Sequence, residues 1–216
     1  MSSTRTIALF GGAFNPPHNG HISPLIALAE QVGLDEIRLL PSPAPPHKKI
    51  VGATYDERTE MLRIACRSHP TLVVDEVELS LPTPTYTVQT LRYFRQRYPN
   101  ESLCFIIGYD SFLQLEHWCE WEQLLKLSHI IVLPRTTVNG DISKTLLDWQ
   151  RQNQSDDVSR LIKTSHGTLF FAETPLWDVS STQIRQCLQN KHQQSALLEL
   201  FDPAVLNYIL QRGLYV

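Results

Sequence analysis

The sequence predicts an α/β fold: a doubly wound (Rossmann-like), mostly parallel sheet with helices on both faces. Three observations carry this expectation. Short apolar runs alternate with helical periodicities along the chain. The first run ends in Gly11-Gly12 and the helical pattern after it is stopped by Gly33, which outlines a βαβ unit. The composition, 42% hydrophobic over 216 residues, suits one domain, and a folded chain of this length buries roughly 70% of its extended surface.

The elements follow in order. Ile7–Phe10 reads as a buried strand. From Ile22 to Val32, apolar residues at 22, 25, 26, 28, 29 and 32 give a helical stripe. Ile37–Leu40 is the next strand, ended by Pro41. A parallel crossover of this kind is right-handed and brings its loops together at the strand C-termini. Thr54-Tyr-Asp-Glu57 is a capping box for a helix to about Arg67. Leu72–Asp75 is a strand, continued by an extended stretch to Leu81. A helix over Val88–Tyr98 precedes a strand over Leu103–Ile107 that ends at Gly108. A bent helical region is expected from about Ser111 to Leu127, and then a strand, His129–Leu133, stopped by Pro134. Residues 136–167 are polar and weakly periodic and read as a surface insertion with one or two helices. Thr168–Ala172 is the last strand. Ser180-Ser-Thr-Gln183 is a second capping box, before a helix to about Asn190. The final helix takes Asp202 as N-cap, Pro203 at its first position and Gly213 past its end. The reading is a single domain over 1–216 with a C-terminal helical segment, 181–216.

Charge and composition narrow the function classes. The chain carries 19 basic and 22 acidic residues, a formal charge of −3, so it lacks the basic excess of a phosphate-backbone binder. No nucleic-acid partner is expected. No apolar run approaches the ~20 residues of a membrane span, and Met-Ser-Ser-Thr-Arg lacks a signal-peptide core. Cys66, Cys104, Cys119 and Cys187 are scattered without C-x-x-C spacing, which suits reduced thiols in a cytoplasmic protein and argues against zinc. Seven of the 14 prolines and three of the eight histidines crowd into residues 16–47.

That crowding marks the first chemical motif. Gly11-Gly-Ala-Phe-Asn-Pro-Pro-His-Asn-Gly-His21 joins the first strand to the first helix. Glycines let a backbone approach a ligand closely. His18 and His21 flank Gly20 at a helix N-terminus, where free N–H groups attract phosphate. Two imidazoles there can donate to a phosphoryl oxygen as charge grows on it. The segment is neither a Walker loop nor G-x-G-x-x-G. At the far end, Val179-Ser-Ser-Thr-Gln-Ile-Arg185 suits either a second phosphate cradle or a plain helix cap with a solvated arginine. No Ser or Cys constellation marks an activated nucleophile.

Further motifs occur in one order: P-P-H-K, T-Y-T-x-x-T-L, F-I-I-G-x-D-S, a Trp seven residues after that Ser, and a strand ending in Pro-Arg. With the two above, they span residues 7–185. The chain resembles the bacterial nicotinate-nucleotide adenylyltransferases, within the H-x-G-H nucleotidyltransferase superfamily. The resemblance implies a reaction in which ATP and nicotinate mononucleotide give deamido-NAD and pyrophosphate. It implies direct in-line displacement with Mg²⁺ accompanying ATP and a place in NAD biosynthesis; the sequence itself marks no dedicated protein metal site. The alternative keeps the superfamily and changes the acceptor to nicotinamide mononucleotide or another phosphorylated compound. Oligomeric state is left open.

The same resemblance assigns residues. His18 and His21 match the catalytic pair, and with Gly11, Gly12 and Phe14 they match a loop around the ATP phosphates. Gly108 and Asp110 match a strand end at adenosine, although Asp110 also suits a helix N-cap. Arg135 matches a position near adenine or phosphates, and Ser181, Thr182 and Arg185 match the second phosphate cradle. For nicotinate mononucleotide, Tyr86 and Thr87 match a turn at the carboxylate, and Trp118 matches the aromatic that stacks on the pyridine ring; a core tryptophan is the other reading. His47 and Lys48 match a loop near its phosphate, or form a solvated basic loop. The chain departs from the family in three places. Asn15 stands where Asp is usual, Ser42-Pro43 replaces an Asn-rich pair, and Cys119 follows Trp118 where an aromatic is common.

Overall fold

The computed structural model describes residues 5–43, 52–135, 140–177, 179–189, 197 and 199–215. Its centre is a sheet of six strands: β1 (Thr6–Gly12), β2 (Glu36–Pro41), β3 (Leu72–Val74), β4 (Ser102–Gly108), β5 (His129–Leu133) and β6 (Leu169–Phe171). They lie in the order β3-β2-β1-β4-β5-β6, and every neighbouring pair is parallel. The expected doubly wound sheet is therefore present, and it is parallel throughout.

Period-two alternation sends each strand's side chains to two separate cores. Ile7, Leu9, Leu103, Phe105 and Ile107 face one, with Val88, Leu91 and Phe94 from α3 (Thr87–Arg97). Ala8, Ile37, Leu39, Cys104 and Ile106 face the other. There they meet Leu25 and Leu28 of α1 (Asn19–Val32), Met61 and Leu62 of α2 (Tyr55–Cys66), and Ile184 of α8 (Ser181–Gln189). The caps act as the sequence implies. Gly33 takes a left-handed φ of 77° after α1, and Thr54 and Glu57 exchange cap bonds at the start of α2. Asp202 accepts from Ala204 N–H at 2.7 Å to open α9 (Pro203–Arg212).

Two segments differ from expectation, and a third has its expected helices but sends side chains into the core. The stretch after β3 is a 3₁₀ turn over Val77–Ser80, because Asp75 and Ser80 bond its backbone locally instead of leaving it extended. The bent helical region breaks into α4 (Tyr109–Phe112), two 3₁₀ turns and α5 (Leu124–Leu127), with Glu120 at a left-handed φ of 50°. The polar stretch within 136–167 carries α6 (Lys144–Asn153) and α7 (Ser159–Lys163) on the crossover from β5 to β6, where Leu146 and Leu161 are fully buried. Among the described residues no helix is long and apolar enough to cross a membrane.

In this strand order the chain reverses direction across the sheet between β1 and β4. Their C-terminal ends, Gly12 and Gly108, therefore diverge and leave a crevice, the place where open α/β sheets bind ligands.

Candidate active site

The crevice is a cleft of about 180 Å³ whose lining includes Gly11, Gly12, His21, Gly108, Asp110, Trp118 and Arg135. Residues separated by more than a hundred positions in the chain thus share one space. Above Gly11 the space is open: a side-chain carbon added there would meet no atom within 4 Å. At Gly108 the same carbon would lie 2.4 Å from Asp110 Oδ1, so a side chain there would displace that carboxylate. Arg135 Nε stands 3.5 Å from that carboxylate oxygen. A narrow hollow continues from Gly108 and Arg135 past Gly20 and Pro24 to Pro175 and Trp177.

His18 is the N-cap of α1 in extended conformation, with φ −150°. Its backbone N–H donates to His21 Nδ1 at 3.3 Å, and the two rings lie 3.7 Å apart, centroid to centroid. An accepting Nδ1 leaves the hydrogen on Nε2, so His21 presents a donor from its far edge. Burial, reinforced by the charge of Arg135, holds His18 down to about 3. Burial also holds His21 well below its ordinary value, with His18 and Arg135 adding to the effect. Both rings are therefore neutral at pH 7. At Gly20 between them a Cβ would sit 2.6 Å from Val179 Cγ1 and 2.9 Å from His18 Nδ1, so a larger residue would have to displace one of those side chains.

The loop before His18 is held from behind. Arg58 of α2, only 2% exposed, donates to the Ala13 carbonyl and, at 3.0 Å, to that of Ser42. Arg185 donates to the Asn15 carbonyl at 2.7 Å, and Ser181 to that of Pro16 at 3.1 Å. Thr182 joins this group through Arg185 Nη2 at 3.1 Å. Phe14, with a φ of 45°, is fully buried and sets its ring edge-on to His21 at 5.3 Å.

On the other flank, Trp118 is half-buried and packs edge-on to Phe105 at 6.2 Å. Tyr86 caps α3 and is 45% exposed, and Thr87 is the first residue of that helix; neither lines the cleft. Arg92, one turn further along α3, grips Glu120 through two bonds of 3.0 and 2.5 Å, which ties α3 to the loop after Trp118. His47 and Lys48 lie outside the described residues. Ser42, a departure noted above, is a backbone partner of both Gly12 and Arg58. Cys119 is exposed.

Comparison with known proteins bears on this geometry. Residues 9–187 match the family described as cytidylyltransferase-like. A protein of Idiomarina loihiensis, named "probable nicotinate-nucleotide adenylyltransferase", is 35% identical over 97% of this chain and 99% of its own length. One of the same name from Serratia proteamaculans is 39% identical over 96% of this chain and 94% of its own. The chain belongs to the nicotinate-nucleotide adenylyltransferase family. The fold agrees as well. A Plasmodium falciparum nicotinic acid mononucleotide adenylyltransferase complexed with NaAD matches with a TM-score of 0.74 at 18% identity, covering 98% of this chain and 97% of that one.

Ser181 and Arg185 stand in a motif visible in the sequence, whereas Arg58, which also holds the loop, lies outside every motif. Arg58 carried a signal: with Met61, Leu62 and Ala65 it lies on the buried stripe of α2, an odd place for a cation. Arg92 and Glu120 carried none, because nothing in their spacing links α3 to the turn after Trp118.

Proposed function

We propose that this adenylyltransferase joins the AMP part of ATP to nicotinate mononucleotide, releasing pyrophosphate and deamido-NAD in NAD biosynthesis. A phosphate oxygen of the mononucleotide attacks the α-phosphorus. The bond from that phosphorus to the bridging oxygen breaks in line, and pyrophosphate leaves with its electron pair. No protein nucleophile takes part. Catalysis consists of holding two anions in line and stabilising charge on the oxygens that gain it.

One observation carries this reading: His21, its Nδ1 engaged by His18 N–H, lines the crevice beside the open face of Gly11. Its Nε2–H is fixed before any ligand arrives, so little reorganisation remains for the reaction. His18, whose ring lies 3.7 Å from that of His21, is the second proposed donor at this helix end, where the Asn19 N–H already bonds the Leu200 carbonyl and the His21 N–H that of His18. Gly11 and Gly12 leave the phosphates room. Phe14 supports the His21 ring from beneath, and Ser181, Thr182 and Arg185 brace the loop while closing the phosphate side. Gly108 and Asp110 are suited to the adenosine ribose, Arg135 to adenine or phosphate, and Trp118 with Tyr86 and Thr87 to the pyridine end. His47 and Lys48 are proposed for the mononucleotide phosphate.

Magnesium would arrive on the triphosphate and neutralise its oxygens. The donors at the cleft fit a carried ion better than a resident one: a hard cation takes oxygen ligands, whereas the histidines are nitrogen donors and Asp110 already faces Arg135. The proposed location is the cytoplasm, where ATP is available and the thiols of Cys66, Cys104, Cys119 and Cys187 stay reduced.

Pyrophosphate release from ATP, measured with nicotinate mononucleotide and with nicotinamide mononucleotide, tests the reading. A higher kcat/KM for the acid is expected, with deamido-NAD as product. A preference for the amide, or no release with either, overturns it.

A further inference from the structure

Of the hydrogen bonds that restrain the loop carrying the two histidines, one comes from near residue 216. Tyr215 is 5% exposed, although it lies almost at the C-terminus. Its hydroxyl donates to Asn15 Oδ1 at 2.7 Å, across 200 positions of sequence. Gly213 ends α9 with a φ of 60° and Tyr215 itself takes 66°, so the backbone turns back toward the sheet after the helix. A left-handed φ is costly for a residue with a large side chain and needs surroundings that fix it.

Those surroundings are visible. A Cβ at Gly52, itself at φ 106°, would lie 2.3 Å from the Tyr215 ring, so the chain before α2 is shaped to seat that ring. The charge of Arg58, whose guanidinium holds Ala13 and Ser42, acts on the same phenol. Burial outweighs it and pushes the phenol above its ordinary range, so the hydroxyl remains a donor at every working pH. Arg185 holds the Asn15 carbonyl and Tyr215 its side-chain oxygen. Three residues further on stands His18.

We infer that Tyr215 is a positioning residue for the His18 and His21 pair, acting through Asn15, so that the last turn of the chain sets the geometry of the catalytic loop. Arg58, Arg185 and Ser181 hold backbone carbonyls, which any loop sequence supplies. Tyr215 holds a side chain, so it restrains the rotation of the Asn15 unit as well as its position. A small misplacement of catalytic groups reduces turnover without weakening substrate binding to the same degree.

The inference rests on the adenylyltransferase reading, and Tyr215→Phe in the full chain tests it. The variant removes one oxygen and keeps the ring against Gly52. Loss of alignment predicts a fall in kcat of about tenfold, KM for both substrates within about twofold, and an unfolding midpoint near that of the parent. A kcat within about twofold of the parent overturns the inference, as does a loss shared equally by both KM values. Asn15→Ala should lower kcat as well, and the double variant should be no worse than the poorer single one; multiplied losses would show that the two residues act separately. Asn15→Asp keeps an acceptor and should retain most of the activity, and its failure to do so would also count against the inference. Should the parent itself release no pyrophosphate, the activity reading fails. The inference is then judged by the ring ¹⁵N resonances of His21, which shift in Tyr215→Phe if the loop has moved and stay fixed if it has not.

Discussion

His21 Nδ1 accepts the backbone N–H of His18 at 3.3 Å, so the ring that faces the crevice has its tautomer set by the residue that caps its own helix. The outward hydrogen is on Nε2 without help from any carboxylate. His21→Ala removes this donor and should lower kcat by about 10²–10³, the usual cost of losing one oxyanion-type hydrogen bond. Unchanged turnover in a folded variant refutes the role. His21→Asn can keep an acceptor for His18 N–H but has no donor at the Nε2 position, and its kcat should fall as far.

The two rings should also resist protonation. Burial and Arg135 hold His18 down to about 3, and His21 is lowered as well. In the ligand-free protein neither ring should titrate in NMR spectra between about pH 8 and pH 5, although an unperturbed histidine titrates near 6.5. An inflection near 6.5 for either ring contradicts the neutral pair.

Gly20→Ala places a carbon 2.6 Å from Val179 Cγ1 and 2.9 Å from His18 Nδ1. Something must shift, and the His18 ring is one of the two groups in the way. We expect kcat to fall by about 10², with partial recovery when Val179→Ala is added. Full activity in Gly20→Ala would mean that the ring position does not govern turnover.

Trp118 stands at the edge of the cleft with Phe105 behind it. Trp118→Ala should raise KM for nicotinate mononucleotide about three- to tenfold, the worth of one aromatic stack, and leave KM for ATP nearly unchanged. Equal effects on both substrates would mark the residue as part of the core.

His129 contributes to acid stability from the opposite end of the sheet. Its Nε2–H donates to the Thr164 carbonyl at 2.9 Å and its Nδ1 accepts from Thr168 N–H at 3.1 Å, so the fully buried ring is bonded in its neutral form. Burial, with the charges of His166, Arg95 and Arg160, lowers it to about 4. The unfolded chain binds a proton near 6.5, so its contribution is complete above 6.5 and is lost as pH falls from there toward about 4. The loss amounts to about 3 kcal/mol, at about 1.4 kcal/mol per pH unit. Denaturation midpoints of His129→Asn, measured from pH 7 to pH 4.5, should depend on pH less steeply than those of the parent. Parallel curves would show that this ring does not titrate on unfolding.

Much of the molecule was legible in the chain because its signals are local. Apolar periodicity and caps such as Thr54, Gly33 and Asp202 located the long helices and the sheet strands. The Gly-Gly and His-Asn-Gly-His run located the crevice loop. Legibility failed where short-range bonds compete with regular structure, as at Val77–Ser80, and where partners come from distant segments, as with Arg92 and Glu120.

The sequence by itself determined the parallel α/β class, the family, and the Gly-Gly and histidine motif of the crevice loop, since each depends on patterns within about one turn or one loop. Only the tertiary structure decided that Ser181 and Arg185 bond carbonyls of the histidine loop, that Arg58 and Tyr215 join them from α2 and the chain end, and that both histidines are neutral. Burial and long-range hydrogen bonds depend on which segments the fold packs together, and no local spacing encodes that.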